Sequence, residues 1–229
     1  MAEHRTAEQL KNANVLVMGE ELGLLYSELW QQLAWLHTKW EQYVVLFGEA
    51  ESRVKLLNES APMFFRVVQD TLWDDSVLHV ARLTDSPASM KKPNLSIRRI
   101  PELINDESTR TIVETLVQEA LDASEFCRDW RNRHIAHRDL DLALKRAANP
   151  LKPGSLAKMK KAMEALEAVL NTVEAHYFES TTHFDMDTTG TGALSLLYVL
   201  DDGLQAEKAR KERAKRGIAT SEDWTQRKL

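Results

Sequence analysis

A run of regularly spaced apolar residues near the N-terminus constrains the fold of this chain more than any other feature. The residues recur at steps of three and four: Leu22, Leu25, Leu29, Leu33, Leu36, Trp40, Val44 and Phe47. This spacing puts one apolar stripe on a single face of an α-helix. It predicts an amphipathic helix from Glu20 to Phe47, and other elements must cover its stripe.

Further segments show the same helical spacing. The pattern predicts helices over residues 62–83, 108–144 and 155–177, and a final apolar segment over residues 193–204. Because a helix over residues 108–144 would exceed the usual length, we expect a break or bend within residues 129–134.

Turn signals separate these segments. Ser60, Ser96 and Ser155 are predicted N-caps, and residues 85–94 are predicted to form a loop because they hold two prolines and no periodicity. Gly (8) and Pro (6) are scarce, and no segment alternates apolar and polar residues. The sequence therefore predicts an all-α bundle of four long helices with shorter additions.

Length and composition limit the class of protein. A chain of 229 residues with 43% hydrophobic residues can bury a sizeable core, which excludes disorder of the whole chain. The single cysteine, Cys127, cannot form an intrachain disulfide, and we interpret it as a small core residue. The longest apolar run is too short to span a bilayer. We expect a cytoplasmic protein with no membrane partner.

Basic residues are concentrated in two places. The net charge is −5, but residues 205–229 hold eight basic and four acidic residues, which leaves −9 on the remainder. The second concentration, which we call the arginine segment, spans residues 128–138 and contains four arginines. An acidic body argues against broad coating of nucleic acid but permits a compact basic site.

The arginine segment also holds the most reactive side chains. Three arginines, one asparagine and two histidines fall within residues 131–138. Arginine suits phosphate, and histidine transfers protons near neutral pH, so the set is capable of cutting RNA without a metal. Spacing alone favours another interpretation, a core stripe that contains Trp130, His134 and His137 beside a solvated face of arginines.

The segment RNRHIAH, residues 131–137, resembles the R-x(4–6)-H signature of the HEPN superfamily. Other blocks resemble the AbiU-like branch of abortive-infection proteins: LHTKW (36–40), LNESAPMFF (57–65), ARLTD (81–85), NLS (94–96), AHRD (136–139) and GALSLLYVL (192–200). The resemblance covers residues 20–205. It divides the chain into an N-terminal extension (1–19), a HEPN-like domain (20–205) and a basic tail (206–229).

This resemblance implies a HEPN-type four-helix bundle with extra short helices and a C-terminal helical extension. It also implies a homodimer in which two R-x(4–6)-H motifs face one cleft and cut RNA in phage defence. The products would carry a 2′,3′-cyclic phosphate and a 5′-hydroxyl. Arg131 and His137 would be the catalytic pair, with Asn132 shaping the site.

Neighbouring residues are assigned supporting roles. Arg133, Arg138 and Arg82 are candidate RNA contacts, and His134 and Asp139 are candidate auxiliary residues. A local ion pair between Arg82 and Asp85 is also expected from their spacing. A metal held by His134, His137 and Asp141 has little support, since no other ligand pair accompanies them. No cofactor is predicted.

Two other functions stay open at this point. A non-catalytic HEPN module would present the same dimer cleft to a nucleotide, an antitoxin or another defence protein. A purely structural helical dimer would bury the histidines as packing residues. The basic tail fits either an RNA-backbone contact or a solvated terminus.

Overall fold

The computed structural model describes residues 6–89, 92–146, 149–184 and 191–224. Within these ranges the chain is mostly helical and has only one two-residue strand pair, which confirms the all-α prediction. The helices are α1 Ala7–Met18, α2 Glu20–Phe47, α3 Glu51–Ser60, α4 Pro62–Leu83, α5 Glu107–Ala123, α6 Glu125–Trp130, α7 Leu140–Ala143, α8 Leu156–Phe178, α9 Ala193–Lys215 and α10 Ser221–Trp224. None of these helices is long and apolar enough to cross a membrane.

Short elements connect α4 to α5. Strands β1 (Ala88–Ser89) and β2 (Lys92–Pro93) form a small antiparallel hairpin inside the predicted loop. Two 3-10 turns follow, Ile97–Arg99 and Pro101–Leu103. The first is capped by Ser96, whose hydroxyl accepts a hydrogen bond from the backbone amide of Arg98, so the predicted cap is confirmed.

The chain divides into two compact units. The first combines residues up to Trp40 with Leu72–Met186, and the second combines Glu41–Thr71 with the chain after Asp187. Helices α2 and α4 each continue from one unit into the other.

The first unit is organised by α5 packed against α8. Each begins at a side-chain cap: Asp106 accepts from the Thr109 amide at 2.7 Å, and Ser155 accepts from the Lys158 amide at 3.2 Å. The cap predicted at Ser155 is confirmed. The facing residues are fully or almost fully buried: Val113, Val117 and Ala120 on α5, and Met159, Ala162, Met163, Leu166, Val169, Leu170 and Val173 on α8. Burying these side chains supplies most of the stabilisation of such a bundle.

The second unit has a smaller apolar core. It brings α9 against α3 and the adjoining parts of α2 and α4, through Leu46, Leu57, Phe65, Ala193 and Leu197. The amide of Ala193 also donates to the Gln42 side chain at 2.6 Å, which fixes the start of α9.

Some local predictions need correction. Ser60 does not cap α4; it is the last residue of α3, and its hydroxyl donates to the Leu57 carbonyl at 3.0 Å. The apolar segment predicted to end at residue 204 continues as one helix to Lys215, so the predicted start of the basic tail lies inside α9. The break expected within residues 129–134 is present, and a further break occurs at Ser124.

Candidate functional site

The arginine segment lies where the helical path of the first unit becomes irregular. After α6 the chain forms a π turn over Arg131–Ile135, and the amide of Ala136 donates to the Arg131 carbonyl at 2.9 Å. Residues 136–139 then leave helical geometry before α7 begins. Such π turns are rare and occur frequently at functional sites, because the wider turn redirects the side chains that follow it.

Arg131 is half-buried and held in one orientation. Its Nη1 donates to Asp85 Oδ2 at 2.6 Å, and its Nε donates to Asn132 Oδ1 at 2.9 Å. Asp85 follows the end of α4, so the contact joins two segments 46 residues apart. Charge-assisted bonds of this kind are the stronger ones, and they leave other N–H groups of the guanidinium available to a phosphate.

The expected ion pair between Arg82 and Asp85 is not formed. Asp85 pairs with Arg131 instead, because residue 85 lies beyond the last turn of α4 and points to the arginine segment. The side chain of Arg82 is exposed, and among the described residues it forms no ion pair.

Asn132 and His137 are both exposed. The amide of Asn132 supports Arg131 directly, which fits its predicted role in shaping the site. His137 lies in the bend that follows the π turn, where the imidazole is accessible to solvent. The same short segment therefore holds an arginine fixed by two partners and an exposed histidine.

Arg133 is engaged by the protein on several sides. Its guanidinium contacts Asp139 at 3.2 Å and Asp129 at 3.4 Å, and its Nη2 donates to the Asn149 carbonyl at 2.5 Å. The backbone amide of Leu142, and then Arg133, hold the pKa of Asp139 below its usual value. These contacts tie the segment after the π turn to the loop that precedes α8.

His134 packs against an aromatic row. Its ring lies edge-on to Trp130 with the centroids 5.6 Å apart, Trp130 lies 5.9 Å from Trp73, and Trp73 lies 6.0 Å from Trp40. The indole N–H of Trp130 donates to the Lys152 carbonyl at 2.8 Å. The aromatic row thus packs against the π turn through His134. Arg138, which follows His137 in the sequence, is exposed.

Arg128 is a site neighbour that the sequence analysis counted only as charge. It is half-buried, and it donates to Ser124 Oγ at 2.8 Å and to the Leu121 carbonyl at 2.6 Å. Burial lowers its pKa, and the positive charges of Arg98 and Arg131 contribute in the same direction. Arg128 thus adds positive charge near Arg131, and its hydrogen bonds link α6 to the end of α5 across the break at Ser124.

The structure also bears on the single cysteine and on the arrangement of possible metal ligands. Burial raises the pKa of Cys127 to about 12, as expected for a core thiol. In the part of the chain that the structure describes, no group of three His, Cys, Asp or Glu side chains is arranged to hold a metal ion.

The helical fold and the Arg131-x5-His137 spacing at the end of a helix have the form of a HEPN domain. The model of the family described as AbiU2 matches residues 19–192, and the chain belongs to this HEPN family, which is related to abortive infection. Comparison with curated proteins and with solved structures finds no match.

Proposed function

We propose that this chain is a metal-independent endoribonuclease of abortive infection, active as a homodimer. The observation that carries the proposal is the half-buried Arg131, oriented by Asp85 and Asn132, in the same short segment as the exposed His137. Arginine held in this way is prepared to bind the charge that develops on a phosphate during cleavage.

The proposed reaction is attack of a ribose 2′-oxygen on the adjacent phosphorus. One imidazole acts as a base and removes the 2′-hydroxyl proton. The P–O5′ bond then breaks, and a second group acts as an acid and protonates the leaving 5′-oxygen. The products are a 2′,3′-cyclic phosphate and a 5′-hydroxyl. Two copies of His137 in a dimer supply the base and the acid, while Arg131 stabilises the pentacovalent phosphorane.

Neighbouring residues extend this proposal. We assign Arg138 and Arg82, both exposed, to contacts with the RNA backbone. Arg133 and Asp139 are assigned to bracing the loop, because each is already bonded to the other and to the backbone. His134 is assigned to packing against Trp130.

The test is cleavage of total RNA by the purified chain in excess EDTA, with end-group analysis of the products. We expect cleavage by the wild type and a large loss in His137→Ala and Arg131→Ala. His183→Ala and Arg66→Ala are matched controls, because His183 is exposed and Arg66 forms a surface ion pair with Asp70. Equal cleavage by all five proteins would refute the assignment.

The Arg131–Asp85 ion pair also favours a second candidate, a non-catalytic module that binds an antitoxin or another defence protein. An arginine that already has an acidic partner can act as a fixed recognition group rather than as a catalyst. This candidate predicts no RNA cleavage, together with a stable complex that Arg131→Ala weakens.

A further inference from the structure

A cleft of about 360 Å³ lies in the first unit, between α1, α2 and the end of α8. Its floor includes Tyr26, whose exposed fraction is 3%. Its rim includes Leu10, Gln31 and Ser180, which are exposed. Clefts of roughly 300–1,000 Å³ with a buried floor and a few polar groups are typical sites for small molecules. The residues assigned above to RNA cleavage do not line it.

The wall formed by α1 is closely fixed to α2. A Cβ atom at Gly23 would lie 2.5 Å from the Cα of Val15, so only glycine permits this approach of the two backbones. Asn14 also donates to Ser27 Oγ at 3.0 Å. The cleft is therefore bounded by packed helices, and its shape does not depend on a loose terminus.

Glu174 places a carboxylate at one end of the cleft. It accepts hydrogen bonds from three hydroxyl groups: Tyr26 at 3.1 Å, Thr182 at 2.7 Å and Ser180 at 2.9 Å. Burial, and then the charge of Glu174, raise the pKa of Tyr26, which keeps its hydroxyl protonated as a donor. All three partners are neutral, so they orient the carboxylate without cancelling its charge.

The residues that the structure describes supply no cation to compensate this carboxylate. Within the described residues, no lysine, arginine or histidine lies within ion-pair distance of Glu174. Lys11 also lines the cleft, but it pairs with Glu28 at 3.2 Å. A carboxylate in a half-buried, partly apolar site attracts a cation more strongly than one at an open surface does.

Aromatic and aliphatic surfaces form the rest of the lining. Trp30 and Phe178 both line the cleft, and Leu10 covers its rim. The indole N–H of Trp30 donates to Thr182 at 3.3 Å, which fixes the ring beside the hydroxyl groups around Glu174. Aromatic faces attract cations, and the apolar side chains suit a short hydrocarbon.

We propose that this cleft binds a small organic amine in its protonated form. The ammonium group contacts Glu174, and the hydrocarbon part lies against Trp30, Phe178 and Leu10. An anionic ligand such as a nucleotide would meet the negative charge of Glu174 and is excluded by it.

Isothermal titration calorimetry on the full-length chain tests this proposal with three probes of similar length: n-hexylammonium, n-hexanol and n-hexanoate. We expect hexylammonium to bind, hexanol to bind at least about tenfold more weakly, and hexanoate not to bind. The reason is that a charge-assisted hydrogen bond raises affinity by about ten- to a hundredfold. Equal affinity for hexylammonium and hexanol would overturn the proposal, and so would no binding of hexylammonium.

Variants locate the binding in the cleft. Glu174→Gln keeps the shape of the side chain and should weaken hexylammonium about tenfold or more. Glu164→Gln removes an exposed carboxylate from the same helix, where it faces Lys160, and should change nothing. Leu10→Trp should fill the rim and weaken binding even if Glu174→Gln lowers stability. Hexylammonium affinity unchanged in both cleft variants would overturn the proposal, whatever the outcome of the RNA-cleavage assay.

Discussion

Two basic stretches of this chain can be compared, the arginine segment and the C-terminal half of α9, residues 208–215. In the arginine segment, Arg131 and Arg133 are half-buried, and each has a local partner and one from a more distant part of the first unit: Asn132 and Asp85 for Arg131, Asp139 and Asn149 for Arg133. In α9, four of five basic side chains form pairs within the second unit, and most of these pairs are exposed: Lys208 with Glu59, Lys211 with Glu207, Arg213 with Asp223 and Lys215 with Glu212.

The difference shows why charge alone does not locate a site. Exposed pairs along a helix cost little to form or break, and salt screens them. An arginine that is partly desolvated and fixed by Asp85 has a defined direction, which a phosphate-binding group needs. The following predictions test this contrast, from the largest expected effect to the smallest.

The first prediction compares Arg131→Ala with Lys211→Ala in RNA cleavage. Loss of Arg131 should lower kcat/KM about a hundred- to a thousandfold, as expected when a fixed donor to a developing charge is removed. Loss of Lys211 should change kcat/KM by less than about twofold, because its partner Glu207 is on the same exposed helix. Comparable losses of kcat/KM in the two variants would show that the two basic stretches do not differ in their importance for cleavage.

The second prediction concerns acid sensitivity of the first unit. His79 is buried, and its Nδ1 lies 3.0 Å from Lys39 Nζ. Burial lowers the pKa of His79 from 6.5 to about 4, and the positive charges of Lys39 and Arg82 act in the same direction. The negative charge of Asp75 opposes this shift. The unfolded chain therefore binds a proton first as pH falls. Stability should decrease between pH 6.5 and pH 4 by about 3 kcal/mol.

Urea unfolding at pH 7, 5.5 and 4.5 checks this decrease. His79→Leu should flatten this part of the pH dependence, while His183→Leu, at an exposed position, should leave the profile as it is. The same slope in His79→Leu and in the wild type would show that another group is responsible.

The third prediction isolates the support of Arg131. Asp85→Asn removes the ion pair but keeps a polar side chain of the same size. We expect kcat to fall about tenfold with little change in KM, since a misdirected guanidinium loses part of its contact with the transition state. Asp70→Asn, which breaks the exposed pair with Arg66, is the control. A rise in KM alone would instead make Asp85 part of the RNA-binding surface.

The fourth prediction uses salt. RNA affinity should fall with ionic strength, and Arg138→Ala should reduce the slope of log K against log salt by about 0.7 if Arg138 contacts one phosphate of a single strand. Lys215→Ala should reduce the slope less, because Lys215 pairs with Glu212 at 2.7 Å. Fluorescence anisotropy with a labelled RNA gives both slopes, and the larger reduction in Lys215→Ala would place the RNA on α9.

The long helices could be predicted from the sequence because their apolar stripes are local signals. The bounds expected for α2 and α4 agree with the structure, and Ser155 caps α8 as expected. Helix α3 was not predicted, since the sequence ESRVKLLNES has too few apolar positions to show a period. The second half of α9 was missed for the same reason, because it has no apolar stripe and its helix is supported by surface pairs such as Lys211–Glu207 and Lys215–Glu212.

The motif of the candidate site could be read from the sequence, but the contacts that hold Arg131 could not. Arg131 and His137 are close in sequence, so a short signature includes both. The partner of Arg131 is Asp85, which lies 46 residues away. The expected Arg82–Asp85 pair was wrong because helical spacing was applied to a residue that lies beyond the helix end. A long-range contact of this kind requires the fold, and no periodicity reports it.

The π turn at Arg131 also bears on how relatives of this chain can be aligned. On a continuous α-helix, inserting one residue between Arg131 and His137 would rotate the histidine by about 100° around the axis. Here the histidine follows a widened turn and lies in a bend outside the helix. A bend can absorb an added or deleted residue without carrying the imidazole to the opposite face. We therefore expect relatives that differ in the number of residues between this arginine and this histidine to differ at the position of Ala136, where the bend begins, rather than within the π turn at residues 132–135.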